Sequence, residues 1–331
     1  MDLHPGRQRV AGAARASAGG LKALGTPDSL RFLLLAAIWG SSYLFMRVAA
    51  PSFGPLPLVL LRMAGATAVF MPWLLRAPIR PLLRGHAASL FLLGALNSAI
   101  PFSLLAFSML RLQAGFAAIL GTTVPMFAVA IDALWWRHRL APQRLLGLAL
   151  GFSGVTLLSW HQLDFRSGGS GWAVLATLGA SACYATAAHF GKHHFAGKPI
   201  MLPAAGSVLA SAVMILPGGI WLWPAHSPAP HDWFAAATLA IVCTALAYLL
   251  YYKLLVRASA TALTAVTYLI PVFGVLWGAL FLHESITVNI AAGMGVTMLG
   301  TAFTTGVLGR LRAGGAQRLN PDPPRPPSPA P

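Results

Sequence analysis

The chain has 331 residues, of which 57% are hydrophobic and only 9% charged, with a net charge of +16. Soluble domains run near a quarter charged, so these few charges cannot coat a water-soluble surface of this size. A helix needs about 20 mostly apolar residues to cross the hydrocarbon core, and the chain supplies such runs one after another.

Residues 1–30, rich in Ala, Gly and Arg, read as a disordered basic cytoplasmic tail. Spans are expected near 31–50, 55–75, 87–110, 114–136 and 142–160, then near 171–191, 201–223, 232–254, 260–282 and 286–308. The first lies too deep in the chain for a cleaved signal peptide and is read as retained. The Pro-rich segment 309–331 reads as a second disordered cytoplasmic tail. The fold class expected is therefore an all-α membrane protein with ten transmembrane helices.

Ten spans with the N-terminus inside place every basic residue in a cytoplasmic segment except Arg111 and Arg166 in outer loops and Arg47 and Arg62 within spans. That asymmetry is the positive-inside pattern and puts both termini in the cytoplasm. It also accounts for the basic balance without nucleic acid, which is not expected as a partner, and for the Arg-rich start without an organellar transit peptide. Trp73, Trp135, Trp136, Trp160, Trp172, Trp221, Trp223 and Trp233 fall near span ends, where indole rings anchor at headgroups, whereas Trp39 lies deep in the first span.

An offset of 146 residues matches Ala114 to Ala260, Pro125 to Pro271, Phe127 to Phe273, Gly147 to Gly293 and Gly154 to Gly300 without a gap. A mid-span proline and two glycines in one register point to a duplication, with repeats at 31–161 and 171–308. Five spans per repeat is odd, so the halves are inverted, an architecture that in transporters places the substrate at the repeat interface.

Thr244, Tyr248 and Tyr252 recur every four residues and share a helix face, as do Thr264, Tyr268 and Pro271. Facing stripes of this kind line a small-molecule pathway or serve helix packing. Asn97 and Pro101 lie one turn apart, and Thr122 and Pro125 occupy the register of Tyr268 and Pro271. Mid-span prolines free a carbonyl, and Pro101, Pro125 and Pro271 are read as helix kinks. The charges inside spans, Arg47, Arg62 and Asp132, are candidates for coupling or for structural roles; Arg47 and Arg62 lie near outer span ends, from which they would snorkel. Asp132 either carries protons or pairs with nearby arginines, and His189 is a packing histidine or a titrating group. Gly147, Gly151 and Gly154, with Gly293, Thr297 and Gly300, form small-residue faces suited to contact within the protomer or in a homodimer. Cys183 and Cys243 match no metal spacing, and no P-loop, nucleophile elbow or metal-binding helix motif occurs. No metal, no cofactor and no catalytic activity are expected.

Trp39-Gly40-Ser41 with Arg47, Pro57-Leu61-Arg62, the runs Ala117–Pro125 and Leu263–Pro271, and His283-Glu284-Ser285-Ile286 with Gly293 together resemble the drug/metabolite transporter superfamily in its ten-helix EamA-type branch. The resemblance spans about residues 31–308. His138 stands where the first repeat would match Glu284, and Ser181-Ala182-Cys183-Tyr184 only partly follows the family's segment at the start of the second repeat. The resemblance implies efflux of amino acids, nucleobases or similar metabolites, commonly across a bacterial inner membrane.

The expected function is thus a secondary transporter exporting small metabolites or drug-like amphiphiles by alternating access. Its pathway would be lined by Trp39, Asn97, Thr122, Tyr184, Tyr248, Tyr252 and Tyr268, and Arg47, Arg62, Asp132 and Glu284 would serve as coupling or structural charges. The alternative within the superfamily is a nucleotide-sugar or sugar-phosphate exchanger, and a membrane-embedded enzyme is the more distant rival. The partners implied are a small-molecule substrate and the lipid bilayer.

Overall fold

The structure, a computed structural model, describes residues 26–136, 140–166, 168–257 and 260–306. Residues 1–25 of the expected N-terminal tail, the whole C-terminal tail and His138 lie outside the described residues, as does the side chain of Thr264. Among the described residues every regular element is helical. In chain order these are α1 (Thr26–Phe53), α2 (Pro55–Leu74), a short α3 (Ile79–Gly85), and α4 (Ala87–Gly94), which runs through a π-helical turn Ala95–Ala99 into α5 (Ile100–Ser108). Next come α6 (Ala114–Leu120), a 3-10 turn Gly121–Thr123, α7 (Val124–Trp136) and α8 (Pro142–Ser159). The second half holds α9 (Gly171–His194), α10 (Met201–Trp221), α11 (Pro230–Ala240), a π-helical turn Ile241–Leu246, α12 (Ala247–Arg257), α13 (Ala260–Leu282) and α14 (Val288–Thr305).

Among the described residues seven helical stretches are long and apolar enough to cross a membrane: Ser29–Phe53, Pro55–Leu74, Ala87–Ser108, Ala114–Leu134, Gly171–His194, Met201–Trp221 and Pro230–Leu254. The chain is a multi-pass helical membrane protein. α8 and α14 fall outside that group, and α13 contributes only the shorter apolar stretch Val266–Leu282. α1 begins at Thr26, inside the stretch expected to be tail. Gly54, the one residue between α1 and α2, has φ +79, a left-handed conformation that glycine adopts without steric cost.

Two of the three mid-span prolines follow a break in α-helical geometry and one does not. Pro101 follows the π turn at 95–99 and Pro125 follows the 3-10 turn at 121–123, whereas Pro271 sits inside an uninterrupted α13. The expected kink at Pro271 is thus an α-helix that continues through the proline. The π turns begin at Ala95 and Ile241, positions related by the same 146-residue offset that aligns Pro125 with Pro271.

Small residues set how closely the helices approach. A Cβ on Gly300 would come within 2.2 Å of the Gly151 backbone nitrogen, and one on Gly147 within 2.4 Å of the Thr304 nitrogen. The glycine faces of α8 and α14 are therefore spent inside the protomer. Gly40 plays the same part between α1 and α13, where its Cβ would meet Phe273 at 2.6 Å and Gly274 N at 3.0 Å. Leu, Ile, Val and Phe side chains such as Leu134, Phe234 and Phe281 point outward, as lipid-facing positions do. Trp160, Trp172, Trp221, Trp223 and Trp233 are exposed at helix ends.

Because the contact at Gly300 is backbone against backbone, Gly300→Ala is expected to destabilise the detergent-solubilised protein by about 1–3 kcal/mol, as overpacking does. The Cβ of Gly151→Ala would instead meet the movable end of Met126, and that of Gly295→Ala would meet nothing within 4 Å. Thermal unfolding should rank the three in that order, and equal melting temperatures would contradict the packing described.

Candidate functional site

Arg62 stands in the first half of α2, about 10 Å along the helix from Pro55 at 1.5 Å per residue. It does not snorkel: the residue is 2% exposed. Its Nε donates to Thr244 Oγ1 at 2.9 Å, its Nη1 approaches Met46 Sδ at 3.6 Å, and the guanidinium lies 3.7 Å from the centroid of the Phe102 ring. A cation over a ring face is drawn by the ring quadrupole, most strongly where water is excluded. Tyr43, Tyr184, Tyr248 and Cys243 are within electrostatic range of the same group.

Both π turns supply this neighbourhood. Thr244, in the second π turn, donates its hydroxyl to Leu239 O at 2.8 Å, five residues back, and so turns a lone pair toward Arg62. Asn97, in the first, donates Nδ2 to the Tyr248 hydroxyl at 3.2 Å. π turns are uncommon and recur at functional sites because they re-aim side chains at the cost of regular hydrogen bonding. Around this core Trp39 packs on Tyr251 at 5.5 Å, Tyr252 lies 5.4 Å from Tyr251 and 6.3 Å from Tyr248, and Phe102 meets Tyr184 edge-on at 6.2 Å. The Ser41 hydroxyl and Cys243 thiol are 3.7 Å apart.

The structure thus brings Trp39, Asn97, Tyr184, Tyr248 and Tyr252 to one region with Arg62 at its buried end. It takes Tyr268 and Thr122 elsewhere. The Tyr268 hydroxyl pairs with Thr305 Oγ1 at 2.8 Å, and Thr122 is buried with its hydroxyl on Ile119 O and its carbonyl accepting from Thr301. Tyr43, one helical turn from Trp39, was missed although the four-residue spacing could have found it. Phe102 and Tyr251 gave no such signal, since an apolar ring beside a proline or within a Tyr pair reads as packing.

The other charges are each engaged. Arg47 donates to the Met109 carbonyl at the end of α5 rather than reaching for headgroups. Glu284 accepts Ala114 N at 2.7 Å and Gly115 N at 3.0 Å, capping α6 from the loop after α13. Its own amide closes on Gly278 O, and His283 before it has φ 54. Asp132 on α7 meets His189 Nε2 on α9 at 2.6 Å. His189 Nδ1 lies 2.8 Å from Ala185 O on its own helix, which orients the ring toward Asp132.

Comparison with known proteins agrees with this architecture. The model of the EamA-like transporter family matches residues 29–160 and again 171–306. The chain belongs to that family, within the drug/metabolite transporter superfamily, and is a membrane transporter by kinship. It is 26% identical over 282 residues to YedA, an uncharacterised inner membrane transporter of Escherichia coli K12, covering 81% of this chain and 87% of that one. It is 22% identical to the uncharacterised transporter YoaV of Bacillus subtilis over 86% of this chain and 98% of that one, and 24% identical to the protein PecM of Dickeya dadantii over 80% and 86%. A solved crystal structure of 20% identity shares the fold with a TM-score of 0.60, covering 86% of this chain and 99% of that one.

Two backbone donors on one carboxylate, at a helix start where the dipole favours negative charge, make Glu284 a structural clasp between the halves. Glu284→Ala should destabilise the protein by about 2 kcal/mol or more, and Glu284→Gln, which keeps one acceptor oxygen, by about half as much. Unfolding curves for the two variants check this, and an unshifted midpoint for Glu284→Ala would contradict it.

Proposed function

We propose that this transporter is a secondary carrier of ten spans in two inverted five-helix repeats, 31–161 and 171–308, with both termini on the cytoplasmic side of a bacterial inner membrane. It exports small metabolites such as amino acids, nucleobases or drug-like amphiphiles by alternating access. The observation that carries this reading is the composition of the central cluster, which draws Trp39, Tyr43, Arg62, Asn97 and Phe102 from one half and Tyr184, Thr244, Tyr248 and Tyr251 from the other. An apolar wall with a few convergent polar groups is the usual form of a small-molecule site, and at a repeat interface it is reached from either face as the halves rock.

The inverted-repeat reading is supported by the matched π turns and by the packing pairs. α1 packs on α13 as α9 packs on α7, α10 packs on α4 and its π turn as α2 packs on α11 and its own, and α8 and α14 pair with each other. The sugar-phosphate alternative is less well supported because it calls for several cations at the site, and Arg47 is committed to the Met109 carbonyl.

The contact between the Asp132 carboxylate and the His189 ring, two groups able to exchange a proton, supports proton coupling. The pair bridges α7 and α9, one helix from each half, and its side chains are 48% and 25% exposed. An overexpressing strain challenged with toxic amino acids, nucleobase analogues and amphiphilic drugs should gain selective resistance to one class. Uniform sensitivity to all of them would count against export. In proteoliposomes loaded with the solute so identified, Asp132→Asn should abolish pH-gradient-driven transport and preserve counterflow at equal pH, whereas an unchanged gradient response would remove Asp132 from coupling.

A further inference from the structure

The guanidinium of Arg62 has five N–H donors, and the structure gives partners to two of its nitrogens only: Nε on Thr244 and Nη1 on a thioether sulfur, itself a weak acceptor. Among the described residues no oxygen accepts from Nη1 or Nη2, and no carboxylate pairs with the group. The carboxylates that would do so are spent elsewhere. Asp132 is on His189, Asp164 accepts Arg166 N, Asp232 accepts Ala229 N, and Glu284 caps α6. A cation buried to 2% exposure without a counter-charge is costly, and proteins keep such a charge where it meets one in function.

We infer that Arg62 is the anion subsite of the carrier and takes the carboxylate of a monoanionic substrate whose apolar or aromatic body lies against Tyr43, Tyr184, Tyr248 and Trp39. The inference rests on the carrier reading and gives its substrate a class. A carboxylate matches the planar guanidinium fork and accepts two parallel N–H bonds, which are the donors left open here. The neighbouring tyrosine hydroxyls can donate to its remaining lone pairs, and Tyr43, Tyr184 and Tyr248 are each only partly buried. One positive charge neutralises one carboxylate; a phosphomonoester, near two negative charges, would leave the site with an unbalanced charge. The same electrostatics exclude a simple amine, which would bring a second cation to a place without a described carboxylate.

The test is calorimetric titration of the full-length protein in detergent with 3-phenylpropionate, 3-phenylpropan-1-ol, phenethylamine and phenyl phosphate. The acid is expected to bind at least about tenfold tighter than the alcohol of the same shape, with the amine and the phosphate ester weaker still. Arg62→Lys should retain folding and lose most of that preference, since an ammonium keeps the charge without the fork. Arg62→Gln, where it folds, should bind acid and alcohol equally. Equal affinity of the wild type for acid and alcohol, tighter binding of the amine or phosphate, full preference in a folded Arg62→Gln, or no binding of any probe would each overturn the subsite. If Arg62→Gln does not fold, the wild-type ranking and Arg62→Lys decide. Acid-selective binding without any solute movement in proteoliposomes would leave the subsite standing and sink the carrier reading, while resistance to a solute lacking a carboxylate would do the reverse.

Discussion

A charge buried within a membrane-spanning bundle must be held by the protein itself, and the centre of this structure is arranged around that constraint. Arg62 is enclosed by protein, and the surrounding helices bring it a hydroxyl, a sulfur and a ring face. Each comes from a different helix: Met46 from α1, Phe102 from α5 and Thr244 from the π turn before α12. The guanidinium is therefore a hub at which the two halves meet, and moving one half against the other changes what it touches.

That hub depends on irregular backbone and on glycine. Thr244 can serve Arg62 because its own hydroxyl bonds a carbonyl five residues back, the spacing a π turn creates. The corresponding turn in the other half carries Asn97 to Tyr248. Close crossings at Gly40, Gly147 and Gly300 bring the backbones near enough for short side chains to span the gaps, a contact that lipid, itself apolar, does not drive through the hydrophobic effect. At the periphery Glu284 and Arg47 serve helix ends, and neither competes for the centre.

Much of this was legible in the sequence because bilayer thickness and the cost of charge in lipid leave few options. The observed α2, α9, α10 and α13 follow the expected stretches closely. The doubled proline and glycine register pointed to a repeat, and the two π turns, which no residue pattern announced, lie at the same 146-residue offset. Single charges were found, but their partners were not. Asp132 and His189 are 57 positions apart and Arg62 and Thr244 are 182 apart, and no helical periodicity spans such distances. Tyr268 and Thr122 share a repeat register but lie away from the Arg62 cluster, with their hydroxyls taken up by α14 and by a local turn, a placement that register alone does not reveal.

The central claim is that the aromatic region beside Arg62 opens to both faces of the membrane. Substituted-cysteine accessibility tests it most directly, using Asn97→Cys in a chain whose two native thiols, Cys183 and Cys243, are replaced by alanine. A membrane-impermeant thiol reagent applied to right-side-out and to inside-out vesicles should label position 97 in both. Labelling from one side alone under every condition, or from neither while the protein remains folded, would contradict alternating access to this site.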